Sequence, residues 1–283
     1  MKFPWSKKPA PKAAEAGAAP TSLPSNMASA FVILSTSRMP RAGDVLAAIA
    51  KRNLDFNATT TELDAPAKAI VGFGMHGAGL MALMFMDVPN PLSPNDSCVA
   101  TAWWWPDDWA QLQKRKGHVM IHVPHDDPKQ RSILLAQLTA AVVETTDAMA
   151  VIWNPADAVW QSEVFLKAVD ATPPGQLPHS IAIAVRVGND TENLRADGSP
   201  MNFGITNGLA EFGLMEIEVR GYPGYSIDMC ATMINLASYL VDNGPVIGDG
   251  HTIGATAEQR MTVRHMPSTV VLGKSVYRLY MPS

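Results

Sequence analysis

The chain has 283 residues, of which 47% are hydrophobic and 17% charged, with a formal net charge of -4. That is enough apolar chain for one large domain or two modest ones, and it excludes wholesale disorder. The acidic balance argues against a general nucleic-acid binder, which carries a basic excess to neutralise phosphates.

Residues 1 to 27 are rich in Pro, Ala and Lys and have neither an apolar secretory core nor hydrophobic periodicity. They are expected to form a flexible tail ahead of a single module over residues 28 to 283. Phe31 to Ser35 reads as a buried strand. A helix is predicted over Gly43 to Arg52, with Asp44 at its positive end and Lys51 and Arg52 at its negative end. Ala69 to Met75 and Leu80 to Val88 read as strands, and Thr101 to Trp105 as another. Pro106, Asp107 and Asp108 predict the start of a helix that ends with Lys114, Arg115, Lys116 and Gly117. His118 to Val123 is a predicted strand. Asp127-Pro128 opens a long helix with Leu134, Leu138, Ala141 and Val142 on its apolar face and Gln137 on an exposed one. Met149 to Trp153 follows as a strand.

The second half repeats this pattern. Met201 to Ile205 and Leu214 to Val219 read as strands around a short helix at Asn207 to Phe212. Ser226 to Asp242 is a long helix stopped by Asn243-Gly244-Pro245. Ile121-His122-Val123 matches Ile217-Glu218-Val219, and Leu138, Val142 and Val143 match Leu236, Leu240 and Val241 after two extra loop residues. Strands at Met261 to His265 and Val276 to Tyr280 close the chain. These elements predict an α+β fold of two related halves, each a mixed or antiparallel sheet with helices on one face. The first half runs strand, helix, strand, strand, helix, strand, an order compatible with a ferredoxin-like unit.

Gly72-Phe73-Gly74-Met75-His76-Gly77 is a literal GxGxxG, but no helix of sufficient length follows it, so a glycine-rich hairpin that binds no nucleotide is expected. His118, His122 and His125 lack a nearby cysteine or a convincing carboxylate set and read as surface histidines at a strand end. Cys98 and Cys230 stand in no metal spacing and read as reduced, partly buried thiols. No GxSxG, Walker A or HExxH motif occurs, and no cofactor or metal is expected. Trp103-Trp104-Trp105 with Trp109 reads as packing under a helix, with a partner surface around Trp104 as the functional alternative. Glu216, Glu218 and Arg220 alternate opposite Ile217 and Val219. They read either as the solvated face of a half-buried strand or as an anion clamp. Asp249-Gly250-His251-Thr252 and Arg264-His265 are late polar clusters; Arg264 falls on a polar strand face, whereas His265 shares a face with Met261 and Val263 and reads as a core histidine.

Ala100-Thr101-Ala102-Trp103-Trp104-Trp105-Pro106, Ala150-Val151-Ile152-Trp153, Glu216-Ile217-Glu218-Val219-Arg220-Gly221, Asn243-Gly244-Pro245-Val246, Asp249-Gly250-His251-Thr252-Ile253-Gly254 and Val263-Arg264-His265 succeed one another along the chain. In order and spacing they resemble the domain of unknown function 4261 family of bacterial proteins. The resemblance implies one intact module and brings no catalytic residue with it. Two functions are carried forward. The first is a non-catalytic cytoplasmic protein, without a membrane span, that holds another bacterial protein as an immunity or secretion-accessory factor. The second is an enzyme or small anionic-ligand sensor, in which Arg220 and Arg264 hold an anion and Glu218 or His251 moves a proton. The candidate binding residues are Trp104, Glu216, Glu218, Arg220, Asp249, His251 and Arg264.

Overall fold

The computed structural model describes residues 26–52, 57–61, 67–75, 79–254 and 260–280. The tail expected over residues 1 to 27 lies outside them except for its last two positions, and the first strand already begins at Met27.

The first half contains β1 (Met27–Leu34), α1 (Ala42–Lys51), β2 (Asn57–Thr61), β3 (Ala67–Met75), β4 (Gly79–Met86), α2 (Ser97–Ala100), α3 (Asp108–Leu112), β5 (Gly117–Pro124), α4 (Pro128–Glu144), β6 (Ala148–Trp153), β7 (Ala158–Gln161), α5 (Ser162–Asp170) and α6 (His179–Ala182). Its strands form one antiparallel sheet in the order β2-β3-β4-β5-β1-β6-β7. The inner four strands interleave two strand-helix-strand units. β1 and β4 run parallel with β5 between them, while β5 and β6 run parallel with β1 between them. This is the ferredoxin-like arrangement expected from the element order.

α4 starts where the sequence places it. The Asp127 carboxylate accepts the free amides of Lys129 (2.8 Å) and Gln130 (3.3 Å), and Pro128 occupies the first turn. Its burial exceeds the expected stripe, since every residue from Arg131 to Val143 is buried and Gln137 is only 8% exposed. The reason is position: α4 packs on β1, β5 and β6 and is flanked by α1, α5 and the second half. The long helices α1, α4 and α5 lie on one face over Ala30, Val32, Val119, Ile121 and Val151. The other face is covered by the short α2 and α3 with Trp105 and Leu112.

Two local expectations are corrected there. Thr101 to Trp105 is not a strand but a run of tight turns after α2, with Ala102 N bonded to Val99 O and Trp105 N to Ala102 O. Aromatic content suggested extension, but these rings serve packing rather than a ladder. The helix expected to run to Lys116 stops at Leu112. The Arg115 guanidinium donates to the carbonyls of Asn90, Leu92 and Leu112 at 2.6–2.8 Å, which draws the chain away toward β5.

The second half contains β8 (Ala184–Leu194), β9 (Pro200–Asn207), β10 (Glu216–Tyr222), α7 (Ser226–Asn243), β11 (Thr252–Ile253), β12 (Met261–Pro267) and β13 (Ser275–Tyr280). The sheet order is β11-β12-β13-β10-β9-β8, antiparallel except for the parallel pair β10-β13. α7 covers the face made by Val185, Ile217, Val219, Val263, Tyr277 and Leu279. Gly204 admits it closely, since a Cβ there would lie 2.8 Å from both Met229 Cε and Met233 Sδ. The related strand-helix units are present as β5-α4 and β10-α7, each joined by three residues, 125–127 and 223–225. In the first sheet β1 is inserted beside β5, whereas in the second β13 lies directly against β10.

Candidate functional site

β10 alternates, as its sequence requires, with Ile217 and Val219 beneath α7 and Glu216, Glu218 and Arg220 on the opposite face. That face is not solvated as a half-buried strand would be. Glu218 is 0% exposed. The loop joining β12 to β13 folds over it, and Ser268 Oγ and Thr269 Oγ1 donate to its two oxygens at 2.6 and 2.7 Å. Arg278 on the neighbouring β13 completes the set at 2.8 Å. A carboxylate buried this way is stable only because each oxygen has a charged or hydroxyl donor.

Arg220 is equally committed. Its Nε and Nη2 donate to the two oxygens of Asp190 at 2.7 and 2.6 Å, Nη2 also reaches Glu192 at 2.8 Å, and Nη1 donates to Thr269 Oγ1 at 2.8 Å. Its guanidinium lies 5.7 Å from the Phe203 ring centroid. Burial alone would raise the Asp190 carboxyl. Hydrogen bonds from Arg220, Asn193 and the Gly221 amide outweigh it and hold the group at about 2. The same Asp190 bonds raise the Arg220 guanidinium against the opposing effect of burial. Gly221 permits this, because its φ of 62° turns the strand there and frees its amide for Asp190. Glu216 serves the adjacent turn, accepting from Thr206 Oγ1, Gly208 N and Ala210 N at 2.7–3.1 Å.

The other candidates lie elsewhere. Asp249 accepts from His265 N at 2.9 Å and faces Arg264 at 3.4 Å, and His251 Nδ1 accepts from Gly248 N at 3.1 Å. These are exposed contacts of a turn next to β12, apart from the Glu218 network. His265 is exposed rather than a core residue, because the edge hairpin leaves its ring open on one side, although it contacts Tyr277 and the Ile247 carbonyl. Trp104 stacks on Trp160 with centroids 4.8 Å apart in the first half. Its indole N–H donates to Val159 O at 3.0 Å, and that of Trp103 donates to Val185 O at 2.8 Å. Consecutive tryptophans thus cap one carbonyl on each sheet's edge strand, β7 and β8, which protects edges open to foreign strands.

Gly72, Gly74 and Gly79 lie in paired antiparallel strands with Met75 opposite Gly79, while residues 76–78 of the expected hairpin fall outside the described residues. His118 is buried, not superficial, with Nδ1 2.9 Å from Val88 O, and burial lowers both its pKa and that of His122. Both cysteines are free, and burial pushes Cys98 up to about 12 and Cys230 to about 11. Among the described residues no group of three or more His, Cys, Asp or Glu side chains is placed to hold a metal ion. Among them also, no helix is long and apolar enough to cross a membrane.

Sequence reasoning missed Asp190, Arg186, Ser268, Thr269 and Arg278. The one signal for β8 was the alternation of Val185 and Val187 with Arg186, broken at once by the polar run Gly188 to Glu192. Two clefts open on this face, of about 390 Å³ beside Glu216 and Lys274 and about 360 Å³ beside Asp190 and Arg220, with Arg186 lining both.

Fold and face together define an α+β protein of two sheets, the second bearing an internally paired polar face under a hairpin loop. Residues 205–280, from the end of β9 through β13, match the family model described as Domain of unknown function (DUF4261). The resemblance read from the sequence is therefore shown over this stretch, while the motifs at 100–106 and 150–153 lie outside it. No curated protein and no solved structure matched the chain.

Proposed function

We propose that this chain is a non-catalytic, cytoplasmic protein-binding module whose recognition element is the loop at 268–274. It holds another bacterial protein, in the manner of an immunity or secretion-accessory factor. The observation that carries this reading is the contrast within the loop. Its base is tied to buried Glu218 through Ser268 and Thr269, yet Leu272 at its tip is 94% exposed beside exposed Val271. A fixed loop with an apolar tip loses little conformational entropy on docking, which favours recognition. The enzyme alternative draws no support from Glu218, because both its oxygens are engaged, and His251, with Nδ1 engaged within its own turn, lies apart from it.

The test is affinity capture from the native host with wild type and Leu272→Asp in parallel, read by mass spectrometry. A specific captured protein that is lost with Leu272→Asp, at an unchanged melting temperature, supports the proposal. Equal capture by both forms contradicts the loop as the recognition element.

A further inference from the structure

Four arginines share the outer face of the second sheet; Arg264, opposite Arg278, is exposed beside Asp249, and the other three differ in what their guanidinium groups hold. Cross-strand register sets Arg186 opposite Ile205, Ile205 opposite Glu218, and Glu218 opposite Arg278. Arg220 is fully occupied by Asp190, Glu192 and Thr269. Arg278 donates from Nη2 to buried Glu218 and to Pro267 O. Its Nε is buried without a hydrogen-bond partner, as is that of Arg186, but Arg186 lines both clefts and Arg278 lines neither. Among the described residues Arg186 has one ionic partner, Asp157, bound through Nη2 at 2.5 Å, and that carboxylate is 47% exposed and lines neither cleft. Arg186 Nε is buried without a hydrogen-bond partner, and Nη1 makes no hydrogen bond among the described residues. A largely buried guanidinium with unused donors has a strong demand for an acceptor.

The cleft beside it narrows the chemistry. Ile205, Met215, Val271 and Val276 supply apolar wall, and Lys274 stands at the exposed rim. The carboxylate in this cleft, Glu216, is already bonded through both oxygens to Thr206, Gly208 and Ala210. Counting Asp157, the two cations face two carboxylates and leave no net charge, so a ligand here is held by the unused guanidinium donors and not by excess positive charge, which disfavours a phosphate dianion. The planar fork of arginine matches a carboxylate, and the walls reward an apolar body by about 25 cal/mol per Å² buried. A volume of about 390 Å³ is at the small end for ligand sites and fits a small molecule, not a folded partner segment.

We infer that the cleft between β9, β10 and the 268–274 loop is a binding site for a small carboxylate with an apolar body, held by Arg186 with Lys274 at the rim. This site is separate from the proposed Leu272 tip, and either one stands if the other fails. Val271 lines the cleft, so occupancy would touch the same loop.

The test is calorimetric titration of the full chain with phenylacetate and with its uncharged analogue phenylacetamide. Phenylacetate should bind saturably, and phenylacetamide about tenfold more weakly or less, as loss of a charge-assisted hydrogen bond requires. Arg186→Gln should weaken phenylacetate by a similar factor. Should that variant fail to fold, Lys274→Glu on the exposed rim decides, with a smaller but measurable weakening at an unchanged melt. The inference is overturned if phenylacetate gives no saturable signal, if the amide binds equally well, or if Lys274→Glu binds as wild type does.

Discussion

The two sheets solve the same problem in different ways. The first buries both faces with apolar side chains, using α1, α4 and α5 on one side and the α2-α3 segment with Trp105 on the other. The second has α7 on one side only, and its other face is closed by a hairpin loop fastened to buried charges, Glu218 with Arg278 and Asp190 with Arg220. Apolar packing tolerates small changes in shape, whereas an ion pair whose carboxylate is 0% exposed requires both partners. The first sheet is thus a scaffold, and the second is where a cut in one bond reaches the surface. The halves meet through Ile133, Leu177 and Ala182, which join the second core, and through the ion pairs Arg131 with Glu211 and Lys129 with Asp242, each at 2.6 Å.

This difference can be broken by mutation. Arg220→Ala strands Asp190 in the interior and should lose about 3–5 kcal/mol in a urea melt. A near-neutral result would mean the pair is not structural. In the apolar half, Leu138→Ala should lose about 2–5 kcal/mol. Leu236→Ala at the margin of α7 should fall at the low end of that range, since Leu236 retains 9% exposure against 0% for Leu138. Equal losses would erase the distinction between a central helix and a covering one.

Acidification offers a milder probe. The Asp190 carboxyl is depressed to about 2 in the folded protein, so its contribution is fully present above the unfolded value near 4 and is lost as pH falls through about 2. Comparing wild type with Asp190→Asn between about pH 4 and pH 2 should show about 2 kcal/mol more pH-dependent stability in the wild type than in the variant, which keeps the other depressed carboxylates such as Glu144 and Asp242. An equal acid dependence in both, with no excess in the wild type, would place the effect elsewhere. The smallest effect is expected at the loop tip, where Leu272→Asp should change stability by no more than about 0.5 kcal/mol.

Much of the architecture was legible because it is local. Asp127-Pro128 marks a helix start, and Gly244, with a φ of 80°, marks a stop wherever it occurs. The alternation in β10 correctly divided Ile217 and Val219 from Glu216, Glu218 and Arg220. What alternation cannot encode is what covers the polar side. Ser268 and Thr269 arrive from about fifty residues away in sequence, and Asp190 from thirty in the other direction. Gln137 was misread for the same reason, because a helix enclosed on all sides leaves no polar stripe to the solvent. The tryptophan run misled through propensity, its indoles acting as long-range donors to Val159 and Val185.

The central claim is that buried Glu218 holds the 268–274 loop in place for recognition. Val270 and Val271 amides donate to Ser268 Oγ at 3.2 and 3.0 Å, and that hydroxyl donates to Glu218. Amide hydrogen exchange at Val270 and Val271 in wild type and Glu218→Gln therefore tests it most directly. Faster exchange at both positions in the variant, with β1 and β5 amides still protected, is the result this account requires. Unchanged exchange at Val270 and Val271 in a folded Glu218→Gln protein would contradict it.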